Sequence, residues 1–273
     1  MQYKIGIVEW AFPFPGPYGL KIAAELGLQG MQLDFGDYET GFQLSNRRVQ
    51  DAYLECGEKF GIEFPSIALN ALNTHGMSSG RGTVDGMIAI ETIRKGIAAA
   101  KRMKIPVVQL PSFHDNRGDI RSEEDFYNTC EMLRFACDLA GDSDITLAME
   151  NVLSAKETKK MLREVGSDRL KVLFDTQNYY LNHGYSEPEL LEEIADNVVQ
   201  IHVKDGFNQT ISSALLGTGD VSFCETAKVI KQTKCTEWLL LENFYNQQPL
   251  NLLTEDTFEL IREDIQTLRS LFS

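Results

Sequence analysis

Eight times along the chain a short run of β-branched and other apolar residues is followed by a longer stretch with helical spacing. This alternation limits the fold more than any other feature. The strand-like runs fall at 4–8, 30–34, 62–69, 105–110, 145–150, 170–175, 198–203 and 238–242. Helical periodicity fills 19–28, 45–60, 84–103, 123–140, 156–164, 188–195, 222–232 and 255–271. A strand that returns to the next through a helix implies parallel pairing with a right-handed crossover. Eight such units in 273 residues suit a closed (β/α)₈ TIM barrel, typically about 250 residues, better than an open doubly wound sheet. No Pro/Ser/Gly-rich linker, charge block or low-complexity tract interrupts the pattern, so residues 1–273 are expected to form one α/β domain.

With 43% hydrophobic and 24% charged residues the chain can bury a sizeable core. Its 26 Lys and Arg against 40 Asp and Glu give a net charge of −14, a field that repels a phosphate backbone, so nucleic acid is not an expected partner. No run approaches the roughly 20 apolar residues of a membrane span, and the start, Met1-Gln2-Tyr3-Lys4-Ile5, lacks a basic segment followed by a long apolar one. A cytoplasmic protein that does not enter a membrane is expected. Cys56, Cys130, Cys137, Cys224 and Cys235 are odd in number, scattered and never spaced as CxxC, which argues against a disulfide framework or a thiolate zinc site. They read as mostly buried thiols, Cys130 and Cys137 on the core side of one helix.

Functional groups of a (β/α)₈ barrel sit at the C-terminal ends of the strands. Polar residues that end an apolar run are therefore the informative ones. Thr146-Leu147-Ala148-Met149 runs into Glu150, Val172-Leu173-Phe174 into Asp175, Val198-Val199-Gln200-Ile201 into His202, and Trp238-Leu239-Leu240-Leu241 into Glu242. These close strands five to eight, neighbours around a barrel, so their side chains are able to converge. A single carboxylate at a strand end is commonly a helix cap. Four ligand-type residues at successive strand ends are costly without a cation between them. Two glutamates, an aspartate and an imidazole form a hard donor set that suits one divalent ion, Mn²⁺, Mg²⁺, Co²⁺ or Zn²⁺, with open positions left for a substrate.

The segments Ala148-Met149-Glu150-Asn151, Leu173-Phe174-Asp175-Thr176, Ile201-His202-Val203-Lys204-Asp205, Leu216-Gly217-Thr218-Gly219-Asp220 and Leu241-Glu242-Asn243 resemble, in order and spacing, those of the xylose isomerase-like TIM barrels. That family includes sugar-phosphate isomerases and epimerases, ketose 3-epimerases, inosose isomerases and dehydratases, and endonuclease IV. The resemblance covers the whole barrel and is strongest from Glu150 to Glu242. It implies that Glu150, Asp175, His202 and Glu242 ligate one divalent ion, and that Glu150 and Glu242 also form an acid/base pair on opposite faces of the substrate. Chemistry agrees with that double role. A C–H beside a carbonyl is a poor acid, but a metal chelated by the carbonyl and the adjacent hydroxyl stabilises the enediolate left by deprotonation. One glutamate removes the proton and the other delivers one. Delivery to the opposite face epimerises, delivery to the neighbouring carbon isomerises, and loss of a β-hydroxyl makes a lyase or dehydratase.

Departures from the family pattern narrow the reading. Asn178 stands three residues after Asp175, where many members carry a substrate-binding histidine, and can replace it as a neutral hydrogen-bonding group. The loop 206–210 lacks the arginine common in ketose 3-epimerases. Asn178 and Lys204 interrupt the three-zinc ligand set of endonuclease IV. Lys204 lies two residues beyond His202, hence on the same side of the strand, where it binds a hydroxylate or phosphate or pairs with a nearby carboxylate. His75 follows strand three and His114 strand four, each either a polar substrate contact or an incidental loop residue; His183 has no such placement. Trp10, after strand one, is either a stacking wall for a sugar ring or part of the core. Gly217-Thr218-Gly219 is either a phosphate cradle or a tight turn into the following helix. The rigid Phe12-Pro13-Phe14-Pro15-Gly16-Pro17 shapes the mouth of the barrel, makes a plain turn or touches a second copy. Asn151 and Asn243 adjoin the ligand candidates and either support them or belong to the loops.

The expectation is a metal-dependent epimerase or isomerase of a small, polyhydroxylated carbonyl compound, with a homo-oligomer possible. The alternative is a lyase or dehydratase of an inosose or keto-glycoside at the same site. Further behind stand a metal-dependent phosphodiesterase and a non-catalytic sugar-binding barrel, since a fold alone does not fix a function.

Overall fold

The computed structural model describes residues 2–113 and 120–273. Its strands are β1 (Lys4–Val8), β2 (Gly30–Asp34), β3 (Ser66–Ala68), β4 (Val107–Pro111), β5 (Thr146–Glu150), β6 (Leu170–Asp175), β7 (Val198–Val203) and β8 (Trp238–Leu241), in the order β1 to β8 of a closed parallel barrel. The helices are α1 (Gly19–Glu25), α2 (Arg47–Phe60), α3 (Val84–Met103), α4 (Glu123–Ala140), α5 (Ala155–Val165), α6 (Asn178–His183), α7 (Glu187–Ile194), α8 (Phe223–Thr233) and α9 (Thr257–Phe272). The strands are buried almost along their length, which is why they read as continuous apolar runs rather than as an alternation. Among the described residues no helix is long and apolar enough to cross a membrane.

The chain divides into two compact units. The first comprises 1–32, 55–63 and 174–273. In it β8 pairs with β1, from Lys4↔Trp238 to Ile7↔Leu241, and with β7, from Ile201↔Leu239 to Val203↔Leu241. Val8, Ala11 and Leu240 form a buried cluster against which Trp10, Trp238 and Phe244 pack. Gly6 lets β1 approach its neighbours: a Cβ there would lie 2.7 Å from Leu240 and 2.8 Å from the Gly30 carbonyl. The second unit comprises 33–54 and 64–173. There β4 pairs with β3 and, over Val107↔Thr146 to Pro111↔Glu150, with β5, so that register alone carries Glu150 to the strand's end. Ser122 caps α4, and a capping box of Ser154 and Glu157 starts α5.

Two elements differ from the pattern read in the sequence. Strand three, expected over 62–69, is limited to Ser66–Ala68, because Pro65 has no N–H for the ladder and Leu69 leads into a 3₁₀ turn over Asn70–Asn73. Helix α6 has no counterpart in the eight expected helices; it inserts a short turn of helix after β6.

Candidate functional site

Asp175 ends β6, His202 lies near the end of β7, Lys204 follows β7 and Glu242 follows β8. In the first unit these four side chains meet. The Lys204 ammonium is 2.8 Å from Glu242 Oε2 and 2.9 Å from Asp175 Oδ2, and His202 Nδ1 is 3.1 Å from the same Glu242 Oε2. Lys204 is only 1% exposed and His202 and Asp175 are fully buried, so the charges act on one another with little solvent between them. Burial raises the Asp175 carboxyl above its ordinary value, and Glu242 adds to this while Lys204 opposes it. Burial pushes Glu242 up as well, but the attraction of His202 and Lys204 wins and holds its carboxyl well below the usual range. The site thus separates its two carboxylates: Glu242 stays ionised, and Asp175 carries the burden of repulsion.

Each group is also aimed. Trp10, half-buried after β1, donates its Nε1–H to Glu242 Oε1 at 2.9 Å, and its ring meets His202 edge-on at 5.8 Å between centroids. Gln32 Oε1 lies 2.6 Å from His202 Nε2. Asp175 Oδ1 accepts the backbone N–H groups of Gln177 at 2.8 Å and Asn178 at 2.7 Å, which fixes the carboxylate and starts α6 together. In the second unit Gln109 donates to Glu150 Oε2 at 2.6 Å. In the first unit Asp175, His202 and Glu242 are buried and bring two carboxylates and an imidazole together around Lys204, a donor set of the kind that a divalent ion takes.

The remaining candidates fall in several places. Asn178 is buried at the first turn of α6, directly behind Asp175. His75 is taken up by Asp85 at 2.8 Å and Glu39 at 3.3 Å, a surface-side ion pair at the start of α3. Burial lowers its pKa, but the two carboxylates outweigh this and raise it. His114 lies outside the described residues. The Gly217-Thr218-Gly219 turn gives its Gly217 and Gly219 N–H groups to Asp205 Oδ2, at 2.8 and 3.1 Å, so a turn organised by a buried carboxylate accounts for it. Asn151 accepts from Leu153 N and Thr158 Oγ1 at the head of α5. Asn243 ties β8 to Asp205 N and to Asp264 Oδ2. Of the cysteines, Cys130 and Cys137 are buried as expected, and burial pushes Cys130 up to about 11; Cys56, Cys224 and Cys235 are only half-buried.

Gln32 and Gln109 escaped the sequence reading, which looked only at the ends of apolar runs. The available signal was an amide in the middle of one: Met31-Gln32-Leu33 and Val108-Gln109-Leu110. A glutamine buried in a parallel strand must find a partner, and each of these finds a candidate metal ligand.

The model of the xylose isomerase-like TIM barrel family matches residues 20–271. A 2-epi-5-epi-valiolone 7-phosphate 2-epimerase of Actinoplanes sp. (strain ATCC 31044 / CBS 674.73 / SE50/110) is 31% identical over 249 residues, covering 90% of this chain and 88% of that one. Among solved structures, a D-allulose 3-epimerase from Methylomonas sp. shares the fold with a TM-score of 0.76 at 16% identity, covering 99% of this chain and 98% of that one. A probable 3-DHS dehydratase from Bacillus anthracis does so with a TM-score of 0.73 at 14% identity, covering 98% and 99%.

Proposed function

The chain belongs to the xylose isomerase-like TIM barrel family, and from that membership we propose that it is a divalent-metal-dependent epimerase or isomerase of a small polyhydroxylated carbonyl compound. It is an enzyme of the sugar isomerase and epimerase type, as the epimerase relative supports. The observation that carries the metal reading is the buried group of Asp175, His202 and Glu242 in the first unit. The holding residues are Glu150, Asp175, His202 and Glu242, with Mn²⁺ preferred and Co²⁺, Mg²⁺ or Zn²⁺ accepted by the same donors. A bound ion supplies Lewis acidity that makes the proton beside a carbonyl easier to remove.

The chain's own residues do the rest. Glu242, kept ionised by His202 and Lys204 and aimed by the Trp10 N–H, exchanges a proton on one face of the substrate, and Glu150, oriented by Gln109, exchanges it on the other. Lys204, Asn178 and Trp10 supply a cation, an amide and an indole edge for the substrate's oxygens and ring; His114 is a further candidate contact, whereas His75 is engaged by Asp85 and Glu39. The name of the epimerase relative supports a phosphorylated cyclic polyol ketone as the first substrate to try. A dehydratase at the same site is the second reading, favoured by the fold shared with the probable dehydratase and by Asn178 at a position that many family members give to histidine.

Incubation of the metal-loaded protein with candidate ketoses and cyclitol ketones in heavy water tests the proposal. Wild type should incorporate deuterium at the carbon beside the carbonyl, and Glu150→Gln should lower that incorporation by at least about a hundredfold, the scale of general acid–base catalysis. Unchanged incorporation in Glu150→Gln overturns the acid/base assignment. An unsaturated or dicarbonyl product in place of an epimer moves the dehydratase reading to the front.

A further inference from the structure

We propose that a cleft between α2 and α3, within the second unit, is a binding site for a small phosphate ester. Its volume is about 480 Å³, in the range of small-molecule sites. Arg47 at the start of α2 and Lys95 and Arg102 on α3 line it, and no carboxylate does. In a chain with 26 basic residues against 40 acidic ones, three cations around one space are a local reversal of sign. Such a field gathers anions. None of the strand-end residues read as metal ligands lines the cleft, so the inference stands apart from the function proposed above.

Two of the cations are held in place. Gln50, only 3% exposed, accepts from Arg102 Nη1 at 3.0 Å and donates its own amide N–H to the Leu44 carbonyl at 2.7 Å, so a buried amide sets the guanidinium beside the cleft. Asp51 takes Nη2 of the same arginine, which leaves the other N–H groups of the fork for an oxyanion. Lys95 stands 5.0 Å from the ring centroid of Phe42 and 2.7 Å from Glu91. Arg47 has no ion-pair partner among the described residues. It opens the first turn of α2, which holds no acidic residue. The positive end of the helix repels a cation there, and an anion between the two is attracted by both. Two arginine forks and an ammonium match the oxygens of a phosphoryl group. A free phosphate ion, the size of a few waters at about 30 Å³ each, fills only part of the space. Ala98 and Ala99, the small side chains that α3 gives to the same cleft, leave the rest for an uncharged body.

Titration of the full chain with phenyl phosphate and with inorganic phosphate, read by calorimetry and by amide NMR of labelled protein, tests the site. Phenyl phosphate should bind saturably and more tightly than inorganic phosphate, and should shift the amide signals of 47–51 and 95–102. The double variant Arg47→Glu, Lys95→Glu should weaken it at least about tenfold, the scale of one charge-assisted hydrogen bond. Ala98→Phe fills the floor without altering a charge, and should weaken phenyl phosphate while sparing inorganic phosphate; it guards against a charge-reversed variant that merely folds badly. Absence of saturable binding in wild type overturns the proposal, as does binding that both variants leave unchanged. Equal affinity for the two probes overturns the assignment to an ester, because the space beside the phosphoryl group would then count for nothing.

Discussion

Removing Lys204 deletes a cation that touches both Asp175 and Glu242, and leaves two buried carboxylates without it. Breaking a buried ion pair from one side costs about 3–5 kcal/mol. In Lys204→Met that loss should appear in full when a chelator is present. Added Mn²⁺ should recover much of it, because an ion that binds only the folded state stabilises it and also replaces the missing charge. Thermal unfolding with and without metal checks this; an equal loss under both conditions would contradict the proposed cation site. At this scale the sequence is a good guide to groups that end an apolar run, since a charged residue there has few uses other than a cap or a site. Asp175 accepts two backbone N–H groups through one oxygen and faces Lys204 with the other. Gln32 and Gln109 were not legible in that way. Their partners are fixed by barrel register across long stretches of chain, and an isolated sequence carries no record of it.

Helix α6 shows the same limit one level up. Six residues are too few to display a helical period, so the segment reads as loop. What builds it is local: Asp175 caps its first N–H groups, and Glu187 Oε1 accepts the Tyr180 N–H at 2.8 Å from the start of α7. Glu187 is buried, and burial raises its pKa from 4.5 to about 8, with Asp175 and Asp205 adding to the shift. The folded protein therefore keeps a proton that the unfolded chain has already released, so this residue makes stability fall as pH rises from about 4.5 to about 8. Glu187→Gln retains the acceptor for Tyr180 and carries no charge. Its melting temperature should match that of wild type near pH 5 and exceed it by a few degrees at pH 8; parallel curves would show that the shift has no thermodynamic weight. The loop after β7 is likewise set by one buried acid. Asp205 gathers the N–H groups of Gly206, Gly217 and Gly219, and a Cβ at Gly219 would come within 2.1 Å of its Oδ1. A glycine pair spaced for a phosphate and one spaced for a carboxylate look alike in sequence.

For the molecule as a whole, the eightfold alternation was legible from end to end because each βα unit writes its own periodicity. The strand boundaries followed it closely wherever no proline intervened. The family match and the folds shared with a D-allulose 3-epimerase and a probable dehydratase agree with the (β/α)₈ barrel read from that alternation. Everything proposed about proton transfer depends on a bound divalent cation. The decisive measurement is therefore metal content per chain, by elemental analysis after loading with Mn²⁺, Co²⁺ or Zn²⁺ and desalting, on wild type and on His202→Ala. The account predicts about one equivalent in wild type and its loss in the variant. No bound metal in wild type would contradict it, and three zinc ions per chain would point to phosphodiester chemistry instead.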